Sequence, residues 1–285
     1  QLLKQYRLMK ALGQGAQGKV YLCVDMATSR PAAIKSIKKP RGVSLALSGG
    51  DEKNISRLMK SIATEVAIMK KLAHENIVAL YEVIDDPSAD KVFIVMEYVG
   101  CGPCLTLAPK TMTCEPLAPE VARAYFRNVL SGLECMHRHL IAHRDIKPDN
   151  LLKMSDGEAF LFYCLFDVHL TFTDRLRAVV QFAAKGLRAP EDSQFSPYMA
   201  DVWALGVTLY VFAFGKLPFT GVNAATVAQK ILTSPVTFPT NTKPDARLMA
   251  LITRMLDKAP ANRPSALQVS STPPRLPNPR LRDLS

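Results

Sequence analysis

The chain has 285 residues, 48 % of them hydrophobic and 21 % charged. That balance excludes a disordered polymer and suffices for one large domain or two lobes. Thirty-six Lys and Arg against 25 Asp and Glu leave a formal charge of +11, which suits acidic partners such as nucleotide phosphates. The basic residues are scattered, without a long run or interleaved aromatics, so nucleic acid is not an expected partner. No apolar run approaches the length of a membrane span and no secretion signal is visible. The chain begins at Gln1 rather than Met, so missing targeting segments carry no weight.

In chain order, alternation around Tyr6, Leu8 and Leu12, around Val20, Leu22 and Val24, and over residues 33–37 predicts three strands. Residues 38–51, with Pro40, Gly42, Gly49 and Gly50, read as a flexible insert. Ile55, Leu58, Met59, Ile62, Val66 and Met69 recur at spacings of three and four and predict a helix over 54–72. Two more strands fit 77–84 and 91–98, and 99–118 reads as a linker. Within it, Cys101-Gly102-Pro103-Cys104 spells a thioredoxin-like redox sequence. The Pro-rich segment that follows lacks the helix such a site needs, so Cys101 and Cys104 are read as two free thiols on a turn, in a reducing, cytoplasmic setting.

The remainder is helical in pattern. Val121, Tyr125, Val129, Leu133 and Met136 form one stripe over 119–139, with Pro119 suited to a first turn. Residues 200–214 are apolar nearly all round, as a buried central helix would be, and 248–256 is amphipathic. From Ser270 onward four prolines and no periodicity predict a disordered tail.

The most informative run is His143-Arg144-Asp145-Ile146-Lys147-Pro148-Asp149-Asn150. It fits H-R-D-x-K-x-x-N, in which each fixed position has a task in phosphoryl transfer. The Asp accepts the hydrogen bond of an attacking hydroxyl, the Lys neutralises charge on the γ-phosphate, and the Asn reaches a metal ion. Upstream, Gly13-Gln14-Gly15-Ala16-Gln17-Gly18-Lys19-Val20 is G-x-G-x-x-G-x-V between two strands. Such glycines let backbone amides approach phosphates, and the strand after it argues against a dinucleotide fold, where a helix would follow. Lys35 sits in Ala33-Ile34-Lys35, the position of a strand lysine that pairs with the α- and β-phosphates. Glu65, on the expected helix 54–72, is its best ion-pair partner. Met96 precedes Glu97-Tyr98-Val99 and resembles a kinase gatekeeper before the hinge, which implies that the 97–99 backbone would hydrogen-bond an adenine. Downstream, Ala189-Pro190-Glu191, Asp201-Val202-Trp203-Ala204-Leu205-Gly206 and Asn262-Arg263-Pro264 complete the set. In the protein kinase pattern that these stretches resemble, Asp201 would hold the catalytic-loop backbone and Arg263 would pair with Glu191.

With these stretches the chain resembles the protein kinase family over residues 6–268. It is similar in particular to the calcium/calmodulin-dependent protein kinase kinases, through EVAIMKKLAHENIV at 65–78, EVIDDPSADKVFIVMEYV at 82–99, DVWALGVTLYVFAFGKLPF at 201–219, LITRMLDK at 251–258 and an insert bearing Pro40-Arg41. The resemblance implies an α+β, bilobal fold: a β-rich N-lobe over 1–98, a hinge and helical C-lobe over 99–269, and a tail over 270–285. It implies ATP and Mg²⁺ as cofactors and a protein substrate with Ser or Thr acceptors, since Lys147 is of the Ser/Thr type. Activation-loop threonines of downstream kinases would be the acceptors. By the same resemblance Asp145 is the base, Lys147 the phosphate stabiliser and Asn150 a Mg²⁺ ligand. Leu12, Gly13, Gly15, Gly18, Val20, Ala33, Lys35, Glu65, Met96, Glu97 and Val99 then surround the nucleotide. Calmodulin is unsupported, because 270–285 lacks the pattern of a basic amphipathic helix.

The pattern breaks between Glu158 and Arg188. Tyr163-Cys164-Leu165 stands where a D-F-G would supply a Mg²⁺ ligand, and a tyrosine is not a carboxylate ligand for a hard cation. Asp167 is the one carboxylate near enough to be a metal candidate, at a shift of four residues. Ala184 replaces the threonine expected to contact Asp145 and Lys147. Two explanations stand: a pseudokinase that acts through nucleotide or protein binding, and a local reading-frame change in an ordinary kinase gene. The abrupt edges favour the second.

Overall fold

A computed structural model describes residues 2–15, 18–38, 72–85, 90–154, 159–161, 196–240 and 245–271. The β-rich patterns at the N-terminus form one antiparallel sheet: β1 (Leu2–Leu3), β2 (Tyr6–Gly15), β3 (Gly18–Asp25), β4 (Pro31–Lys38), β5 (Leu80–Asp85) and β6 (Lys91–Glu97), in the order β1-β2-β3-β4-β6-β5. The central strand β4 is buried from Ala32 to Ile37, because its alternating side chains enter two different cores. Ala33 and Ile37 pack with Ile94 and Met96 on one face, and Ala32 and Ile34 with Tyr6, Cys23 and Val95 on the other. Lys35 and Ser36 are the polar residues carried inward by this strand.

Gly18 is required by the ladder itself. A Cβ there would lie 1.6 Å from the Ser36 carbonyl oxygen of β4, whereas one on Gly13 would meet nothing within 4 Å. One glycine of the loop is thus demanded by strand packing, and another leaves open space above the sheet.

The C-terminal half is built on α1 (Pro119–Arg138) and α2 (Pro197–Phe214). Between them in sequence lie a 3₁₀ turn at Pro148–Asn150 and a hairpin of β7 (Leu151–Lys153) and β8 (Ala159–Leu161). There follow α3 (Ala224–Thr233), α4 (Ala246–Met255) and α5 (Ala266–Ser271). Val129, Leu133 and Met136 of α1 share a core with Trp203 and Phe212 of α2 and with Ile252 and Met255 of α4. Gly206 lets α2 and α4 approach, since a Cβ there would fall 2.8 Å from that of Met255. Gly215 ends α2 at φ +65°, the left-handed cap that glycine adopts without penalty.

Several expectations change. Helix α2 is long and apolar enough to cross a membrane, contrary to the reading of the sequence, but 67 % of it is buried inside the protein, as a core helix requires. Helices α3 and α5 and the β7–β8 hairpin were not expected from periodicity. Helix α5 includes Ser270 and Ser271, so ordered chain continues past the expected start of the tail. Lys38 ends β4 rather than opening the insert. Of the expected helix at 54–72 only Leu72 is described, and it lies in no helix; residues 54–71, the rest of the insert and residues 272–285 lie outside the described residues.

Candidate active site

The loop between α1 and β7 carries His143 to Asn150, and its shape is imposed by one carboxylate. Asp201, 1 % exposed at the start of α2, accepts from the backbone N–H of His143 at 2.8 Å and of Arg144 at 2.7 Å. The His137 Nε2 lies 2.9 Å from the same carboxylate. Arg144 is held at φ +66°, a conformation that costs a non-glycine residue about 1–3 kcal/mol and persists only where surroundings over-determine it. Two charge-assisted bonds to consecutive amides provide that constraint. The expected role of Asp201 is therefore visible directly. His137, one helix away and absent from the sequence reading, is its third contact.

Past Arg144 the polar side chains converge. The Asp145 Oδ2 accepts from the Lys147 Nζ at 3.0 Å and from the Asn150 Nδ2 at 2.8 Å. Asn150 Nδ2 also donates to the Asp145 carbonyl at 2.8 Å, and the Asp145 N–H donates to His143 Nδ1 at 3.2 Å. Lys147 and Asn150 are themselves buried, so these bonds are only weakly screened. One carboxylate oxygen is saturated by two donors, which leaves Oδ1 as the acceptor for anything that enters the site.

The nucleotide side is assembled from both halves of the chain. Ala33, Met96 and Val99 are buried in one apolar cluster, against which Val20 and Leu152 pack. Leu152 lies on β7, two residues after Asn150, so the catalytic loop and the apolar cluster are linked by a single short strand. Nothing in the local sequence marked Leu152; its place follows from the chain leaving the loop extended. Leu12 is 41 % exposed and stays outside the cluster. Gly13 and Gly15 pair with Val20 and Gly18 across the β2–β3 hairpin. Lys35 is 7 % exposed, opposite Val20 on β3 and Ile94 on β6. Glu97 spends its N–H on the Ala79 carbonyl, at 2.9 Å, and its carboxylate on the Ala79 N–H. That N–H is therefore not the group of the 97–99 segment that meets a base. Glu65, Asp167, Ala184 and Glu191 lie outside the described residues.

Cys101-Gly102-Pro103-Cys104 does not start a helix. It bridges to β7, with the Cys101 and Cys104 N–H groups donating to the Lys153 and Leu151 carbonyls. Cys101 is exposed and Cys104 buried, and burial pushes the Cys104 thiol up to about 12.

For a nucleotide, the described residues offer an apolar cluster against which a base could lie and a buried lysine, Lys35, of a type that pairs with phosphates. For Mg²⁺ the fit is partial. Asn150 supplies an amide oxygen, while among the described residues no group of three or more His, Cys, Asp and Glu could hold a metal ion, and Mg²⁺ usually takes one or two carboxylates besides phosphate oxygens.

Comparison with known proteins agrees with this geometry. The protein kinase domain matches residues 6–273. A probable serine/threonine-protein kinase of Dictyostelium discoideum is 34 % identical over 277 residues, covering 95 % of this chain and 38 % of that protein. A calcium/calmodulin-dependent protein kinase kinase of Caenorhabditis elegans is 33 % identical over 280 residues, covering 92 % and 50 %. A serine/threonine-protein kinase of Schizosaccharomyces pombe is 36 % identical over 288 residues, covering 95 % and 42 %. The chain thus spans half or less of the length of these relatives. A bilobal α+β fold, a catalytic-loop constellation and these matches together place the chain in the protein kinase family, of the serine/threonine type.

Proposed function

We propose that this domain transfers the γ-phosphoryl of ATP to Ser and Thr hydroxyls of other protein kinases. The observation that carries the chemistry is the Asp145–Lys147–Asn150 cluster, with both donors on one oxygen of Asp145. An acceptor hydroxyl would donate to the free Oδ1. As its oxygen bonds to phosphorus and the bond to ADP breaks, its proton passes to Asp145. Lys147 has two further N–H groups to offer the transferring phosphoryl, where they act as a preorganised counter-charge. Lys35 would hold the α- and β-phosphates with Glu65 as its orienting partner, and Asn150 would be a Mg²⁺ ligand. Bound Mg²⁺ supplies charge neutralisation across the phosphates. The preference for kinases as substrates rests on the similarity to a calcium/calmodulin-dependent protein kinase kinase.

A second reading is favoured by one sequence fact, Tyr163-Cys164-Leu165 in place of a D-F-G. On that reading the fold binds nucleotide or protein without turnover. Phosphate transfer from Mg·ATP to a kinase substrate, with Asp145→Asn as control, separates the two. Working kinases turn over at roughly 1–100 per second, and loss of a general base costs on the order of 10²–10⁴ in rate. Activity absent from the control supports the kinase reading. Activity no greater than the control leaves the binding reading. Sequencing the transcript across codons 155–190 shows whether the aberrant stretch is native.

A further inference from the structure

The face of the N-terminal sheet that bears Tyr6 is concave. In a flat sheet β2 and β5, four strands apart in the sheet order, would lie about 19 Å from each other. Yet Tyr6 and Leu8 of β2 share a core with Ile84 of β5, and the Tyr6 hydroxyl donates to the Glu82 carboxylate of β5 at 3.3 Å. The sheet therefore curls round this face. Lys4 pairs with Glu82 at one end of it. At the other end the ladder carries cations alone. Alternation puts Lys19 of β3 on the face of Cys23, Ser36 and Lys38 of β4 on that of Ile34, and Lys91 of β6 on that of Val95, with unbroken register between these strands. Lys38 lies directly opposite Lys91, and Lys19 lies opposite Ser36, diagonal to Lys38.

Directly opposed residues have Cβ atoms about 4.5–5.5 Å apart and diagonal ones about 7–8 Å, so like charges at these positions repel. Lys19 and Lys38 are exposed and Lys91 is half-buried. Among the described residues none of the three is in an ion pair, and the exposed Asp90 beside Lys91 pairs with none of them. Ser36, 7 % exposed, sets a hydroxyl between them. Three cations round one hydroxyl suit a compact group of high charge. A phosphate monoester brings about −1.5 to −2 charges and three acceptor oxygens, and lysine meets it as a point charge. A carboxylate brings a single charge and two oxygens. A planar bilayer would touch a concave face only at its rim. We propose that Lys19, Lys38 and Lys91 form a docking site for a phosphorylated Ser or Thr of a partner protein. Lys35, on the opposite face of β4 with Ala33, belongs to the nucleotide side. The docking site is therefore separate from the cleft and independent of whether the domain is catalytically active.

Calorimetry with a glycine-rich peptide bearing one phosphothreonine tests this on the whole chain. The same peptide with Thr or Glu in its place is expected to bind at least about tenfold more weakly, since each offers less charge. Lys38→Gln and Lys91→Gln should each weaken the phosphopeptide about fivefold, the worth of one unit charge at about 4 Å in water, and the double variant about 25-fold. Their thermal midpoints should hold or rise, because like charges are removed, so lost binding is not lost fold. Excess ATP is expected to leave the affinity unchanged, and competition would place the phosphate in the cleft and overturn the proposal. Equal affinity in the double variant, or for the Glu peptide, overturns it too. Phosphatidylserine vesicles held by the wild type and released by the double variant, with no binding of the phosphopeptide, would assign the lysines to a membrane surface instead.

Discussion

Replacing Asp201 tests whether the catalytic loop is held in shape by one carboxylate. Asp201→Ala leaves two backbone donors, His143 N–H and Arg144 N–H, without their acceptor in a site 1 % exposed. Each orphaned buried donor costs about 1–3 kcal/mol, so the pair predicts a loss of roughly 2–6 kcal/mol. Asp201→Asn keeps one oxygen and turns an NH₂ toward the other donor, so one orphan remains and the expected loss is about 1–3 kcal/mol. The Arg144 backbone at φ +66° relaxes in both variants, which moves Asp145 relative to Lys147 and lowers any phosphoryl transfer further. Urea denaturation reads the stability term through the midpoint, with an unchanged slope showing that the unfolded state is not responsible. This readout works whether or not the domain turns over ATP. A loss under about 1 kcal/mol for Asp201→Ala, the level of an average substitution, would refute the reasoning, as would equal losses for Ala and Asn.

Three further outcomes are expected. Gly18→Ala drives a methyl into the Ser36 carbonyl and is expected to lower the thermal midpoint, at the roughly 1–3 kcal/mol typical of overpacking. Gly13→Ala, in open space, should leave the midpoint nearly unchanged, and equal shifts for the two would contradict the strand-packing account. Leu152→Ala removes an apolar contact worth up to about 1.5–3 kcal/mol. It should weaken ATP binding by calorimetry roughly tenfold or more while the fold persists, and unaltered binding would place the base elsewhere. Iodoacetamide at pH 8.5 should alkylate Cys101 in the native protein and spare Cys104, whose thiol is buried and held near 12, until denaturant is added. Equal labelling by mass spectrometry would contradict that burial.

Much of the site was legible because its chemistry is local in sequence. Asp145, Lys147 and Asn150 fall within six residues, and a turn of that length brings the Lys147 and Asn150 side chains within 3.0 Å of the Asp145 carboxylate with little help. The strands around the glycine loop and the stripes of α1 and α4 were equally plain, since alternation and a 3.6-residue period are properties of short windows. Helix α3 was not read from the sequence, although its buried Val227, Ala228 and Ile231 also recur at helical spacing. The β7–β8 hairpin was missed because strands of three residues carry no period.

By itself, then, the sequence determined the protein kinase family and the serine/threonine type, through fixed residue types at fixed spacings, and it singled out the candidate residues of the loop from His143 to Asn150. Only the tertiary structure decided what holds that loop: Asp201 accepts from His143 across 58 positions of chain and is itself met by His137 across 64. Only it decided that Gly18 answers to Ser36, that Leu152 joins Ala33 and Met96, and that Lys258 and Arg263 share the ring of Trp203. These are contacts between residues distant in sequence. Packing fixes them, and no local spacing encodes which partners it will bring together.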